Sequence, residues 1–292
     1  MLGLKLITAM VTPYNEKLAV DYDKAAALAR YLIANGSDGL VVSGTTGESP
    51  VLSQEEKIEL FTTVKRAVGP EVKVLAGTGS YNTRESIQLS QAAEKAGVDG
   101  LLLVNPYYSK PTQEGMYQHF KAIAESVSLP VMLYNIPGRT GVELLPDTVV
   151  RLAETENITA IKEASRNMDQ VSQLKVSLGD RLSIYSGDDS MTLPMLALGG
   201  SGVVSIASHL VGNEIKLMLS AFDNGDHAQA LALHKHLFPM FKGLFITTNP
   251  IPVKEALNML GINVGGFRLP LCQAGEKELE AIRSLLKQYR LL

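Results

Sequence analysis

Eight short apolar runs recur along this 292-residue chain, at 5–12, 38–43, 73–76, 100–105, 130–135, 158–162, 182–186 and 202–207. They are rich in Val, Ile and Leu with little polar alternation, the pattern of strands buried on both faces of a parallel sheet. Longer segments of helical period separate them, and several have marked starts. Ser53-Gln-Glu-Glu56 is a capping box, Asn82-Thr-Arg-Glu85 resembles one, and Pro146 with Asp147 suits a first turn. Asn35-Gly36 and Ala96-Gly97 fall where helices run into the next strand, as C-terminal caps do. Eight such units ending near Phe222 predict an α/β fold, a (β/α)8 TIM barrel. The competing architecture is an open doubly wound sheet, since counting units does not prove closure. The Gly-x-Gly-x-x-Gly expected after the first strand of such a sheet is absent.

Three more helical segments follow, at about 226–243, 252–260 and 276–289, beyond what a barrel needs. The expected organisation is a catalytic barrel over residues 1–224 and a C-terminal helical appendage over 225–292. The formal net charge of −3 leaves no basic footprint for nucleic acid and no polybasic stretch for anionic membranes. A lone cysteine, Cys272, cannot form an internal disulfide or a thiolate metal site by itself. The apolar amino terminus has Lys5 inside its apolar stretch and Pro13-Tyr14 where a cleavage site would be expected, so it does not read as a signal peptide. No run reaches the ~20 apolar residues that span a bilayer. A cytoplasmic location is the expectation.

Barrel active sites are built at the C-terminal ends of strands. Lys162 sits at such an end, walled by Ile158, Ala160, Ile161 and Ala164. Loss of hydration there would lower its pKa and free the amine to attack a carbonyl. Moving a lysine from about 10.4 to about 7 takes roughly 4–5 kcal/mol of destabilisation of the charged form. The plainer alternatives are a lysine that reaches out at the strand end or one that pairs with Glu163. Gly44-Thr-Thr-Gly-Glu48 offers hydroxyls and backbone N–H groups as a carboxylate nest, or is simply a tight connection. Tyr108 and Tyr134 can relay protons with Thr46 between them, although buried tyrosines more often bond a backbone carbonyl. Arg139, in a Pro-Gly-Arg turn, can clamp a carboxylate or lie on the surface. Of Asp188 and Asp189, one is expected to cap the helix near Met191. The five histidines are scattered, with His234 and His236 on different faces of one helix, so no metal site is expected.

Gly44-Thr-Thr-Gly-Glu48, Asn105-Pro-Tyr-Tyr108, Tyr134-Asn-Ile-Pro-Gly-Arg-Thr140, Ile161-Lys-Glu-Ala164 and Asn249-Pro-Ile-Pro-Val-Lys254 occur in this order. Together they resemble the dihydrodipicolinate synthase branch of the pyruvate-dependent lyase and aldolase superfamily, essentially from end to end. The resemblance implies a Schiff base between Lys162 and pyruvate, with the carboxylate held by Thr45 and Thr46. It implies a proton relay of Thr46, Tyr134 and Tyr108, the last reaching in from a neighbouring subunit, and Arg139 as receiver of the carboxylate of L-aspartate 4-semialdehyde. Gly187 and Val204 are implied as further substrate-binding positions. The implied product is 4-hydroxy-tetrahydrodipicolinate, on the route to diaminopimelate and lysine. No cofactor is implied, and the expected assembly is a homotetramer.

Two departures stand out. Asn105 replaces the family's usual Thr before Pro, and Ser109 its usual Asn after the tyrosine pair. Ser49, Glu85 and Tyr107 match the family's lysine-feedback pattern. Gln54 and Lys57 stand where lysine-inhibited members carry histidines, and Tyr81 where they carry Asn. A cationic Lys57 would repel a bound lysine's positive charge, so feedback is expected to be weak or absent. Rival readings are an N-acetylneuraminate or 2-keto-3-deoxy-sugar-acid aldolase, which would share Lys162 and the nest, and a non-catalytic keto-acid sensor. Tyr108 and Pro137-Gly-Arg139 favour the small amino-aldehyde over a sugar, and a sensor needs no proton relay.

Overall fold

A computed structural model of the chain describes residues 3–292; Met1 and Leu2, where the expected barrel segment and the amino-terminal stretch begin, lie outside the described residues. The strands are β1 Leu6–Ala9, β2 Gly39–Val42, β3 Lys73–Gly77, β4 Gly100–Val104, β5 Val131–Asn135, β6 Ile158–Glu163, β7 Ser183–Ser186 and β8 Gly202–Ser205. They form a closed barrel in sequence order, sealed by parallel pairing of Ile7 with Val204 across β1 and β8. That closure removes the open-sheet alternative. The first run, expected over 5–12, is a strand only from Leu6 to Ala9. Beyond it Met10 still donates to the Val41 carbonyl, and Tyr14 to that of Val264.

Helix starts follow the local chemistry. Ser53 Oγ accepts from Glu56 N at 3.2 Å while Glu56 Oε2 accepts from Ser53 N at 3.0 Å, so the capping box is complete. Asn82 is a one-way cap, accepting from Arg84 N and Glu85 N without return from Glu85. Asp188 accepts from Ser190 N at the turn Asp189–Met191, leaving Asp189 free for another task.

Strand alternation sorts the core into two shells. Inward residues such as Ile7, Leu75, Leu102, Met132 and Val204 fill the barrel. Their neighbours, among them Leu6, Val74, Leu101, Leu133 and Ile161, pack outward against the helices. Burial of each such side chain contributes about 1.5–3 kcal/mol. β6 breaks the alternation once. Val131 pairs with Ile158, but Met132 then pairs with Ala160, so Thr159 is an extra residue on that strand. Above it Tyr134 pairs with Lys162 and Asn135 with Glu163. Lys162 therefore shares the inward face with Ala160, and Glu163 turns outward.

After the helix Ser208–Asp223 come His227–Gly243, Ile251–Met259 and Glu276–Gln288. Leu237, Met240, Val253, Leu257, Ile282 and Leu286 from these helices belong to the same core cluster as the barrel's outer shell. The appendage thus packs on the barrel without a core of its own.

Candidate active site

Lys162 lies inside the mouth of the barrel, 5% exposed, with Nζ 4.1 Å from the centroid of the Tyr134 ring. Burial draws its pKa down to about 7; Asp189 opposes that shift and Arg139 reinforces it. Gly187 makes room for the lysine, because a Cβ there would sit 3.1 Å from both Lys162 Cγ and Cε and 2.8 Å from Ala164 Cβ. The pairing alternative fails on geometry. Glu163 faces the outer shell, where it accepts from Asn135 Nδ2 at 3.0 Å, Gln170 Nε2 at 3.0 Å and Ser165 N at 2.7 Å. Among the described residues Lys162 forms no salt bridge.

Tyr134 covers the lysine and also lines a cavity of about 210 Å³, together with Gly44, Thr45, Gly79, Leu102 and Arg139. Burial pushes its phenol up to about 12, with Arg139 and the Thr45 hydroxyl pulling the other way. The hydroxyl that acts on the Tyr134 phenol is that of Thr45. Thr46 is buried on the other side of the turn, where its Oγ1 accepts from Asn249 Nδ2 at 3.0 Å. Within that turn Glu48 N donates to the Thr45 carbonyl at 3.1 Å and Ser49 N to that of Gly44 at 3.2 Å. No backbone carbonyl among the described residues takes the N–H groups of Thr45 and Thr46, which is the donor pair a carboxylate nest requires.

Arg139 follows Pro137 in the short helix Pro137–Thr140 and reaches the cavity rim, its Nη2 donating to the Asn249 carbonyl at 3.4 Å. Val204 is an inward residue of β8, 1% exposed. Tyr108 is not in the cavity of its own chain. Its side chain is 91% exposed, on backbone at φ 69°. Ser43 and Glu48, at the same end of the barrel, also hold left-handed φ of 57° and 56°, strain of the kind that gathers at functional loops. Ser49 and Tyr107 line the same cavity as Thr45 and Arg139. Exposed Glu85 stays outside it; burial pushes the Tyr107 phenol up, with Tyr81 and Glu85 adding to the shift, and burial draws the Lys57 pKa down, with Glu85 opposing.

Two contributors could not be singled out from the sequence. Asp189 is buried, accepts from Ile206 N at 3.0 Å and Ala207 N at 3.1 Å, and bonds the Ser205 hydroxyl, so it ties β7 to the turn after β8. Asn249 bridges Thr46 and Arg139. Both stand in recognisable motifs, Gly-Asp-Asp and Asn-Pro-Ile-Pro, but only three-dimensional proximity gives them these partners. No cluster of three His, Cys, Asp or Glu suited to a metal occurs among the described residues.

The sequence profile of the dihydrodipicolinate synthetase family matches residues 3–289. The chain belongs to this family. It is 60% identical over 288 residues to a 4-hydroxy-tetrahydrodipicolinate synthase from Desulforudis audaxviator, covering 99% of this chain and 98% of the relative. To the enzyme of that name from Heliobacterium modesticaldum it is 59% identical, covering 98% and 96%. Among solved structures, the lysine-bound family member from Cyanidioschyzon merolae superposes with a TM-score of 0.98 at 45% identity, covering 100% and 99%. A Bacillus anthracis member gives 0.95 at 49% identity, covering 97% of each chain.

Proposed function

We propose that Lys162 is the nucleophile with which this enzyme condenses pyruvate and L-aspartate 4-semialdehyde to 4-hydroxy-tetrahydrodipicolinate, in diaminopimelate and lysine biosynthesis. The observation that carries the reading is a buried lysine amine with no carboxylate partner, packed under Tyr134. With a pKa of about 7, roughly half of Lys162 is the free amine at neutral pH. The amine adds to the pyruvate carbonyl, the oxygen leaves as water, and an iminium remains on Nζ. Loss of a methyl proton gives the enamine, whose carbon bonds to the aldehyde carbon. The substrate's own amine then attacks the iminium carbon and displaces Lys162, closing the ring and restoring the free enzyme.

Tyr134, with its pKa raised to about 12, carries its proton at neutral pH and can protonate the departing oxygen. Thr45, beside it, takes the relay position expected of Thr46. Thr46, the N–H groups of the turn, Gly187 and Val204 serve pyruvate, and Arg139 receives the semialdehyde carboxylate. Tyr108, fully presented to solvent, completes the relay in a neighbouring copy. That role makes the enzyme an oligomer, a cytoplasmic homotetramer in this reading, with residues 1–224 as catalytic barrel and 225–292 as its helical appendage.

The test is borohydride trapping with pyruvate alongside product formation followed through a coupled NADPH-dependent reductase. We expect an adduct and turnover in the wild type and neither in Lys162→Ala. Trapping without turnover on the semialdehyde would return the sugar-acid aldolases to first place, and binding without an adduct would favour a sensor. Lysine feedback is weak in this reading, because Lys57 stands where lysine-inhibited members carry a histidine and, when charged, would repel the bound amino acid's own cation. Half-maximal inhibition by submillimolar lysine would overturn that part.

A further inference from the structure

We infer that Asn249, in the C-terminal appendage, is a positioning residue for both substrates: its side-chain amide aims the Thr46 hydroxyl at pyruvate and its main-chain carbonyl holds Arg139. The inference rests on the function proposed above. Asn249 is 4% exposed and Thr46 3%, and Asn249 Nδ2 donates to Thr46 Oγ1 at 3.0 Å across 203 residues of sequence. A hydroxyl has one hydrogen to give. With its oxygen already accepting from the amide, that hydrogen points away from Asn249, and no acceptor among the described residues takes it. A keto-acid carboxylate in the Thr45–Thr46 nest supplies one.

Asn249 Nδ2 gives one of its hydrogens to Thr46 Oγ1, and Asn249 Oδ1 is buried without a donor among the described residues. The backbone carbonyl of the same residue accepts from Arg139 Nη2 at 3.4 Å. One residue therefore touches the groups assigned to each substrate. Its own place is held nearby. Lys254, in the helix Ile251–Met259, donates to Glu48 Oε1 at 2.7 Å, and Glu48 belongs to the same turn as Thr46.

The experiment compares Asn249→Asp and Asn249→Ala, each alone and combined with Thr46→Val, in steady-state kinetics and in borohydride trapping titrated with pyruvate. In Asn249→Asp a group that only accepts faces Thr46, so the hydroxyl turns back toward it and a second carboxylate meets the keto acid. The pyruvate KM and the half-saturation of trapping should rise about tenfold or more, with kcat changing less than about threefold. Asn249→Ala should raise KM less. In the Thr46→Val background Asn249→Ala should add no further KM increase, because Asn249 acts through that hydroxyl, while Asn249→Asp keeps only the part due to its added carboxylate. If Asn249→Asp fails to fold, the cycle of Asn249→Ala with Thr46→Val measures the same coupling. A pyruvate KM within twofold of wild type in both single variants, or an additive effect of Asn249→Ala in the Thr46→Val background, overturns the inference alone. Wild-type enzyme that traps no pyruvate overturns the proposed function and this inference together.

Discussion

Lys162 and Lys254 are both buried, and the chain treats them in opposite ways. Lys254 Nζ donates to Glu48 Oε1 at 2.7 Å, the Thr12 carbonyl at 3.1 Å and the Gly266 carbonyl at 2.5 Å, so each of its three donors has an acceptor. The Tyr14 and Phe267 rings lie 4.3 and 5.0 Å from the same nitrogen. Burial depresses its pKa, but Glu48 pushes back. Lys162 is also desolvated, with a ring face close by, the charge of Asp189 opposing the shift and that of Arg139 reinforcing it. Burial alone does not make a lysine reactive. What differs is whether the structure also satisfies the ammonium: at the junction of barrel and appendage it does, at the barrel mouth it does not.

This contrast can be broken most sharply by removing each lysine in turn. Lys162→Met should lose turnover by roughly 10³-fold or more while still folding; retained activity in the coupled assay would remove Lys162 from the mechanism. Lys254→Met should cost about 3–5 kcal/mol in denaturant unfolding, because Glu48 is left charged and buried without its partner. Replacing both Lys254 and Glu48 with apolar residues should cost less than that. A Lys254→Met protein as stable as wild type would show that the pair adds nothing.

Stability should move the other way at Lys162. Its folded pKa of about 7 lies below the ordinary value of 10.5, so between those values the unfolded chain holds more protons and stability rises with pH. The penalty is fully present below pH 7 and vanishes toward pH 10.5. Lys162→Met should accordingly be more stable than wild type by a few kcal/mol at pH 6, with roughly 4–5 kcal/mol as the ceiling, and the gain should fade by pH 10. A pH-independent difference would remove desolvation as its cause. The smallest effect is expected at Asp189. Without its charge the Lys162 amine should deprotonate more readily, so the acid limb of kcat/KM in Asp189→Asn should move from near pH 7 to lower pH. A limb that stays put would mean that Asp189 acts only by tying Ile206 and Ala207.

The frame of the molecule is legible in the sequence because its signals are local. Apolar runs mark the strands to within a few residues, and Ser53 with Glu56 announces a helix start that the hydrogen bonds bear out. Lys162 is legible as a residue but not as a direction, since simple alternation from outward Ile158 would turn it outward too. Thr45 and Thr46 show a related limit: the turn decides which hydroxyl meets Tyr134, and composition carries no trace of that choice. Asn249 has no assignable role in the sequence alone, because its partner lies 203 residues earlier and only barrel closure and docking of the appendage bring the two together.

The extra residue in β6 gives the enzyme an uneven tolerance for insertions and deletions. The phase of the upper end is set at the second residue of the strand, where Thr159 is skipped by its neighbour strand. Losing Thr159 would smooth the ladder and leave Tyr134 beside Lys162. Losing Ala160 or Ile161 has the same result where Thr159 joins the ladder in its place; only if Thr159 stayed skipped would Glu163 come level with Tyr134. The surplus residue low in the strand lets the ladder absorb one deletion and still keep the amine inside.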